Sequence, residues 1–296
     1  MKPPFIHLHT HSHYSLLDGL SKVPDLVKKA SEYEMPALAL TDHGNLYGAI
    51  EFYKQCKKAG IKPIIGVEAY MAVRTRHDKI SGVDSKRFHL TLLAKNNKGY
   101  KNLLKLVTKA NLEGMYYKPR MDRELLAEHS EGLICLSGCF GGEVARALHG
   151  GHTDEAERIA LEYRDLFGVG NYFLEIMHHP GIEGMEEVRR QIIALGEKLD
   201  IPLVATQDSH YIHADDKQAH ETLLSIQTQG DLNDESRFSM HEGDFHFIST
   251  DEAYEKFSDA PDAVANTVRI ADMCNLELEL GNAIFPDLEL GDAEFT

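Results

Sequence analysis

Tryptophan is absent from this 296-residue chain, which by itself excludes nothing. Other shortages exclude more. Cysteine occurs only at Cys56, Cys135, Cys139 and Cys274. So few in so long a chain make no disulfide framework, and a reducing cytoplasm is the expected setting. No apolar run reaches the roughly 18–20 residues that span a bilayer. The opening MKPPFIHLHTH lacks the charged-then-apolar pattern of a signal peptide, so no membrane partner is expected. Gly-x-Gly-x-x-Gly and Gly-x-x-x-x-Gly-Lys-Ser/Thr loops are missing, which leaves nucleotide cradles unsupported, and no Gly-x-Ser-x-Gly marks a nucleophile elbow. Basic residues are scarce: 31 Lys and Arg stand against 47 Asp and Glu, a net charge of −16. That balance argues against a stand-alone nucleic-acid binder held by phosphate contacts, unless bound cations or a locally cationic rim offset it.

Histidine is plentiful, with 17 residues, and it is the commonest metal ligand. In PFIHLHTHSHYS it falls at 7, 9, 11 and 13. On an extended strand, side chains of period two share a face, so His9 and His11 project together and could bind one ion. A lone His-x-His is equally well read as a polar strand face, and the rest of the chain must decide.

Length and composition, 43% hydrophobic and 26% charged, suit one α/β barrel or two smaller domains. Short apolar, β-branched runs at 5–9, 37–42, 63–73, 88–94, 133–137, 172–177 and 202–206 read as strands. Helical patterns lie between them; in GMEEVRRQIIALGEKLD, Val188, Ile192, Leu195 and Leu199 have amphipathic spacing. Gly60, Gly150 and Gly168 stand where helix C-caps belong. This β-then-α rhythm predicts a distorted seven-stranded (β/α)7 barrel of the triosephosphate-isomerase type. The polar stretch HDKISGVDSKR, residues 77–87, reads as a surface loop. After about residue 215 the rhythm changes to helices and an extended tail, so residues 1–215 are expected to form the barrel. Residues 216–296 would complete it and connect onward. The acidic end, FPDLELGDAEFT, reads as unstructured.

In such barrels the chemistry sits where strands end. His9 and His11 close the first strand, Asp42 and His43 the second, and Glu68 lies late in the third. Cys139 follows the fifth, and Asp208 and His210 the seventh. All are metal-ligand types. His89 opens its run and would face the wrong rim of a parallel strand, so 63–73 and 88–94 are expected to pair as a hairpin. Blander roles remain for each: helix capping for His43, Asp208 and His210, a turn for Asp18, core packing for Cys139 and still more for Cys135. Asp42 reads as structural, orienting an imidazole. Glu68 in an apolar strand would be a costly buried charge unless paired or metal-bound. His77, His129, His149, His152, His220, His241 and His246 read as surface residues; His7, His13, His178, His179 and His213 stay unassigned.

HLHTHSHYSLLDG, LALTDHGNLYGAIEFY, GIKPIIGVEAY, LICLSGCFGGE and VATQDSHY resemble the motifs of the polymerase-and-histidinol-phosphatase (PHP) superfamily, and more narrowly the PHP domains of bacterial replicative DNA polymerase α subunits. The stretch 244–285 resembles the join between such a domain and a polymerase palm, and no palm, thumb or fingers follow. The resemblance implies a trinuclear site at the C-terminal rim. His9, His11, Glu68 and Asp208 would hold one metal, Glu68 with His89 and Cys139 a second, and Asp18, His43 and His210 a third. It implies up to three divalent ions, zinc or manganese with iron or magnesium as other occupants, and a metal-bridging hydroxide held by Glu68 and its metal pair. No protein nucleophile is implied. The expected activity is phosphoester hydrolysis, as a 3′–5′ exonuclease or on pyrophosphate. Expected partners are a DNA 3′ end or pyrophosphate, the rest of a polymerase α subunit and a proofreading exonuclease subunit. Two other readings remain: a free-standing phosphatase of the histidinol-phosphate kind, and a metal-stabilised scaffold without turnover.

Overall fold

The computed structural model describes residues 2–283, apart from residues 17, 233, 235 and 236. The acidic end lies outside the described residues. Among the described residues, strands β1 (Ala37–Leu40), β2 (Lys62–Ala72), β3 (Arg87–Ala94), β4 (Met115–Tyr116), β5 (Lys118–Met121), β6 (Leu133–Leu136), β7 (Tyr172–Ile176) and β8 (Leu203–Ala205) alternate with ten α-helices. The curl runs β1-β2-β3-β6-β7-β8, and β5 borders the far half of β2. As expected, β2 and β3 form an antiparallel hairpin, with Tyr70 opposite His89 and Glu68 opposite Thr91.

The first strand is the main departure from expectation. Residues 5–9 are extended but form no ladder. Their backbone is shared between two neighbours: the Ala39 N–H donates to the His7 carbonyl, and the Ser209 N–H to that of His9. The segment thereby bridges β1 and the end of β8 and closes the curl. It is the seventh stave of the distorted barrel. The pair β4–β5 was not foreseen, because its two- and four-residue strands carry Lys and Pro rather than an apolar alternation.

Alternation across the pleat divides each strand between two jobs. Leu38, Leu40, Ile65, Val67, Leu92, Cys135, Leu174 and Ala205 face outward into the shell of helices. Ala37, Ala39, Ile64, Leu93, Ile134, Leu136, Phe173 and Val204 face inward and fill the floor with Ile6 and Leu8. Helix α10 (Pro261–Met273) caps that floor, since Ile270, Ala271 and the following Cys274 join the inner cluster. Each inward row then turns polar toward the rim: Ile64, Gly66, Glu68 on β2; Leu93, Thr91, His89 on β3; Phe173, Glu175 on β7. Gly66 has to be small there, because a Cβ would lie 2.6 Å from the Leu92 carbonyl oxygen.

Candidate metal centre

The polar ends of the inward rows meet at one rim. Glu68, wholly buried, stands at the middle. Its carboxylate lies 3.4 Å from His9 Nε2 and from His11 Nε2, 2.6 Å from His43 Nδ1 and 2.8 Å from His89 Nδ1. Cys139 Sγ approaches it at 3.4 Å. Asp208 Oδ1 lies 3.3 Å from His9 and 3.1 Å from His11. Asp18 lies 3.3 Å from His43 Nε2 and 2.8 Å from His210 Nε2. All nine expected side chains therefore join one cluster. Three overlapping trios bring donor atoms within 4.8 Å of one another: His9, His11 and Asp208; His43, Glu68 and His89; His11, His43 and His210.

The outer nitrogens of three imidazoles are already committed. His9 Nδ1 donates to Glu175 Oε1 at 2.7 Å, and His210 Nδ1 to the Asp208 carbonyl at 2.7 Å. Ser15 Oγ donates to Asp42 at 2.7 Å, which leaves it to accept from His11 Nδ1 at 2.9 Å. Each bond fixes the proton on Nδ1 and turns the Nε2 lone pair into the cluster. The inward atoms behave differently: His9 Nε2, His11 Nε2, Asp18 Oδ1, His43 Nδ1, Glu68 Oε2 and Asp208 Oδ1 are buried without a hydrogen-bond partner. They lie close together but are not aligned as donors and acceptors. Buried polar atoms are normally satisfied, so this set fits shared cations better than one another.

The electrostatics agree. Burial would lower the His9 pKa, but Asp208, Glu68 and Glu175 hold it well above its ordinary value. Burial, with His43 and His210 nearby, lowers His11 to about 3. Burial together with the Glu68 and Asp208 charges keeps the Cys139 thiol well above its usual range; a cation at this place would reverse that. The cluster opens through His89, Asp18 and His43 into a cleft of about 960 Å³, also lined by Lys86, Arg87, Lys118 and Arg146.

Residues 7–179 match the family model described as PHP domain. The chain belongs to the PHP domain family. It is 44% identical over 288 residues to the DNA polymerase III subunit alpha of Borreliella burgdorferi, covering 97% of this chain and 25% of that protein. It is 46% identical over 283 residues to that of Treponema pallidum, covering 95% and 24%. This PHP chain thus spans about a quarter of the length of the curated relatives it matches. Among solved structures, an amidohydrolase from Chromobacterium violaceum is similar at a TM-score of 0.45 and 14% identity, covering 69% of this chain and 87% of that one.

Four supporting residues of this PHP site were not foreseen. Glu175 is buried on β7 and accepts from Thr206 as well as holding His9. A carboxylate inside YFLEIM is the same signal that marked Glu68. Ser15 and Thr206 carried no signal. His220, read as a surface residue, is buried on α8 (Lys217–Thr228), and its Nε2 donates to the Asp18 carbonyl at 2.8 Å. The amphipathic face of α8, not any motif, turns it inward. His246 is half-buried between Asp244 and Glu252 rather than free on the surface. Asp42 has the orienting role expected of it, exerted through Ser15. Among the described residues, no helix is long and apolar enough to cross a membrane.

Proposed function

We propose that this chain is the PHP domain of a bacterial replicative DNA polymerase α subunit and a metal-dependent phosphoesterase. Its favoured substrate is a DNA 3′ end, with pyrophosphate second. The observation that carries the reading is the set of inward-facing donor atoms left without hydrogen-bond partners beside imidazoles whose tautomers are already fixed. His9, His11, Glu68 and Asp208 are the ligands of one divalent ion. Glu68, His89 and Cys139 serve a second, and Asp18, His43 and His210 a third. Imidazole, carboxylate and thiolate together favour zinc, with manganese or iron at the thiol-free positions.

Bound divalent ions would supply an acidified water and a clamp for phosphate oxygens. The chain's own residues do the remaining work. Glu175, Ser15 and the Asp208 carbonyl orient three imidazoles. Burial of His9, His11 and Glu68 excludes bulk water from the inner side. The half-exposed His89 and Cys139 leave the outer side open to substrate. Lys86, Arg87, Lys118 and Arg146 make the mouth attractive to a phosphate despite the net charge of −16.

Elemental mass spectrometry on protein purified without chelator tests the ligand set, with His9→Ala and Asp208→Ala in parallel. Several equivalents of metal in the parent, reduced in both variants, are expected. A parent that stays empty after zinc and manganese are supplied would falsify the reading. Release of mononucleotides from a single-stranded oligonucleotide, set against hydrolysis of pyrophosphate and histidinol phosphate, ranks the substrates. Metal uptake with no hydrolysis of any of these leaves only a scaffold.

A further inference from the structure

Asp18 differs from the other expected ligands in how its backbone is held. It stands in a turn, outside any strand or helix, so no ladder fixes it. Its N–H donates to the Ser15 carbonyl at 3.0 Å. Its own carbonyl accepts from His220 Nε2 at 2.8 Å, and among the described residues no other donor meets it. A carbonyl only accepts, so the imidazole proton lies on Nε2.

The His220 ring has a second neighbour in the same place. The His210 ring lies 5.5 Å from it, and the Tyr211 ring 5.2 Å. His210 Nε2 in turn lies 2.8 Å from Asp18 Oδ1. One side chain from α8 thus meets both Asp18 and His210. Among the described residues, no hydrogen bond or ring contact joins it to His9, His11, Glu68, His89, Cys139 or Asp208. The helix is kept from rolling by the next residue. Glu221, buried like His220, accepts from Arg237 Nη2 at 2.6 Å, Ser239 Oγ at 2.7 Å and the Met240 N–H at 2.9 Å. Packing alone would be served by an apolar side chain, which has no polar atoms to desolvate.

We propose that His220 is a positioning residue for the metal place formed by Asp18, His43 and His210. Its hydrogen bond sets the peptide that follows Asp18, and with it the direction of the carboxylate. Its ring sets the lean of His210. The proposal rests on the metal-centre reading of the cluster and adds that one of the three places is governed separately, from α8. Partners behind the ligands typically control roughly 10- to 100-fold of a site's affinity. Loss of His220 therefore empties the Asp18 place first and leaves the other two filled.

Stepwise zinc uptake by the 296-residue chain, read by elemental mass spectrometry over a series of buffered free-zinc concentrations, tests this without turnover. Three steps are expected in the parent. His220→Phe keeps a ring and removes the donor, and should weaken one step by roughly 10- to 100-fold while sparing two. His220→Gln, whose amide N–H can reach the carbonyl, should restore most of that loss. Asp18→Ala should abolish the same step, and adding His220→Phe to it should change nothing further. With cobalt in place of zinc, the charge-transfer band of the Cys139 thiolate should persist in His220→Phe. His220→Asn, too short for the bond, takes the place of the Phe variant if the latter does not fold. Parental uptake in His220→Phe, or equal weakening of every step, overturns the positioning role and spares the metal reading. Parental uptake in Asp18→Ala overturns it too, since there is then no Asp18 place to govern. A parent that stays empty overturns both.

Discussion

Glu175 touches none of the open space in the cluster, yet it holds His9 by Nδ1 and is itself held by Thr206 Oγ1 and, through its backbone N–H, by Ser137. Loss of such an orienting partner typically weakens a metal site 10- to 100-fold. Glu175→Ala should therefore lose roughly that factor in zinc affinity against a competing chromophoric chelator; an unchanged affinity would remove Glu175 from the site. His179 supports a second prediction. It is wholly buried, stacks on Phe245 at 4.3 Å, and has no partner for either ring nitrogen. Burial lowers it from 6.5 to about 4. Between those values the unfolded chain binds a proton that the folded chain does not. Stability is thus unaffected above about pH 6.5 and falls as the pH drops toward 4. His179→Phe should remove part of that loss, up to about 2 kcal/mol at pH 5. Urea midpoints at pH 7 and 5 for both proteins measure it. At this scale the sequence was readable wherever a residue type was out of place: Glu68 in an apolar strand, histidines in alternation. Glu175 sent the same signal without histidine neighbours to amplify it. Ser15 and Thr206 are ordinary residues in ordinary places, and only the fold brings them to an imidazole.

Two elements hold the site in place from outside it. Arg120, fully buried on β5, donates to the carbonyls of Gly114, Asp84, Arg76 and Asp78. It ties the loop before β3 to the β4–β5 hairpin, and so joins the segments that carry Lys86, Arg87 and Tyr117. Arg120→Met would leave four carbonyls without this donor and should cost about 3 kcal/mol or more; a urea midpoint near the parent's would contradict this. Helix α10 is the other element. We propose that the barrel needs residues beyond 215, because Ile270, Ala271 and Cys274 complete its floor. Ile270→Ala should lose about 2–5 kcal/mol, and a chain ended at residue 215 should lack a cooperative unfolding transition. The central strands and the hairpin were legible because long apolar runs leave little choice of element. The first segment was legible as extended but not as a bridge, since which neighbours its carbonyls meet is a tertiary matter. The short β4–β5 pair was not legible at all; its register depends on Arg120 and the loop it grips.

Over the whole molecule, the interior carries Asp18, Glu68, Glu175 and Asp208 within one rim, with imidazoles as their nearest counterparts. Divalent ions would compensate that charge in the folded state alone, so loading should stabilise the chain by about 3 kcal/mol at a hundred times Kd. Chelation should lower the melting temperature, zinc should restore it, and Asp208→Ala should respond less to both. The cleft mouth adds a consequence of another kind. Lys86, Arg87, Lys118 and Arg146 line the cleft into which the cluster opens, and charge acts over roughly 8 Å at physiological ionic strength. Polyanions are drawn inward past them, whereas small dications meet an uphill field whichever way they move. The opening would then act as a valve of one sign. Once loaded, the metals would be slow to exchange even when their equilibrium affinity is modest, and the rate should quicken with salt. The history of a sample, and not only the buffer it sits in, would then decide which ions it carries.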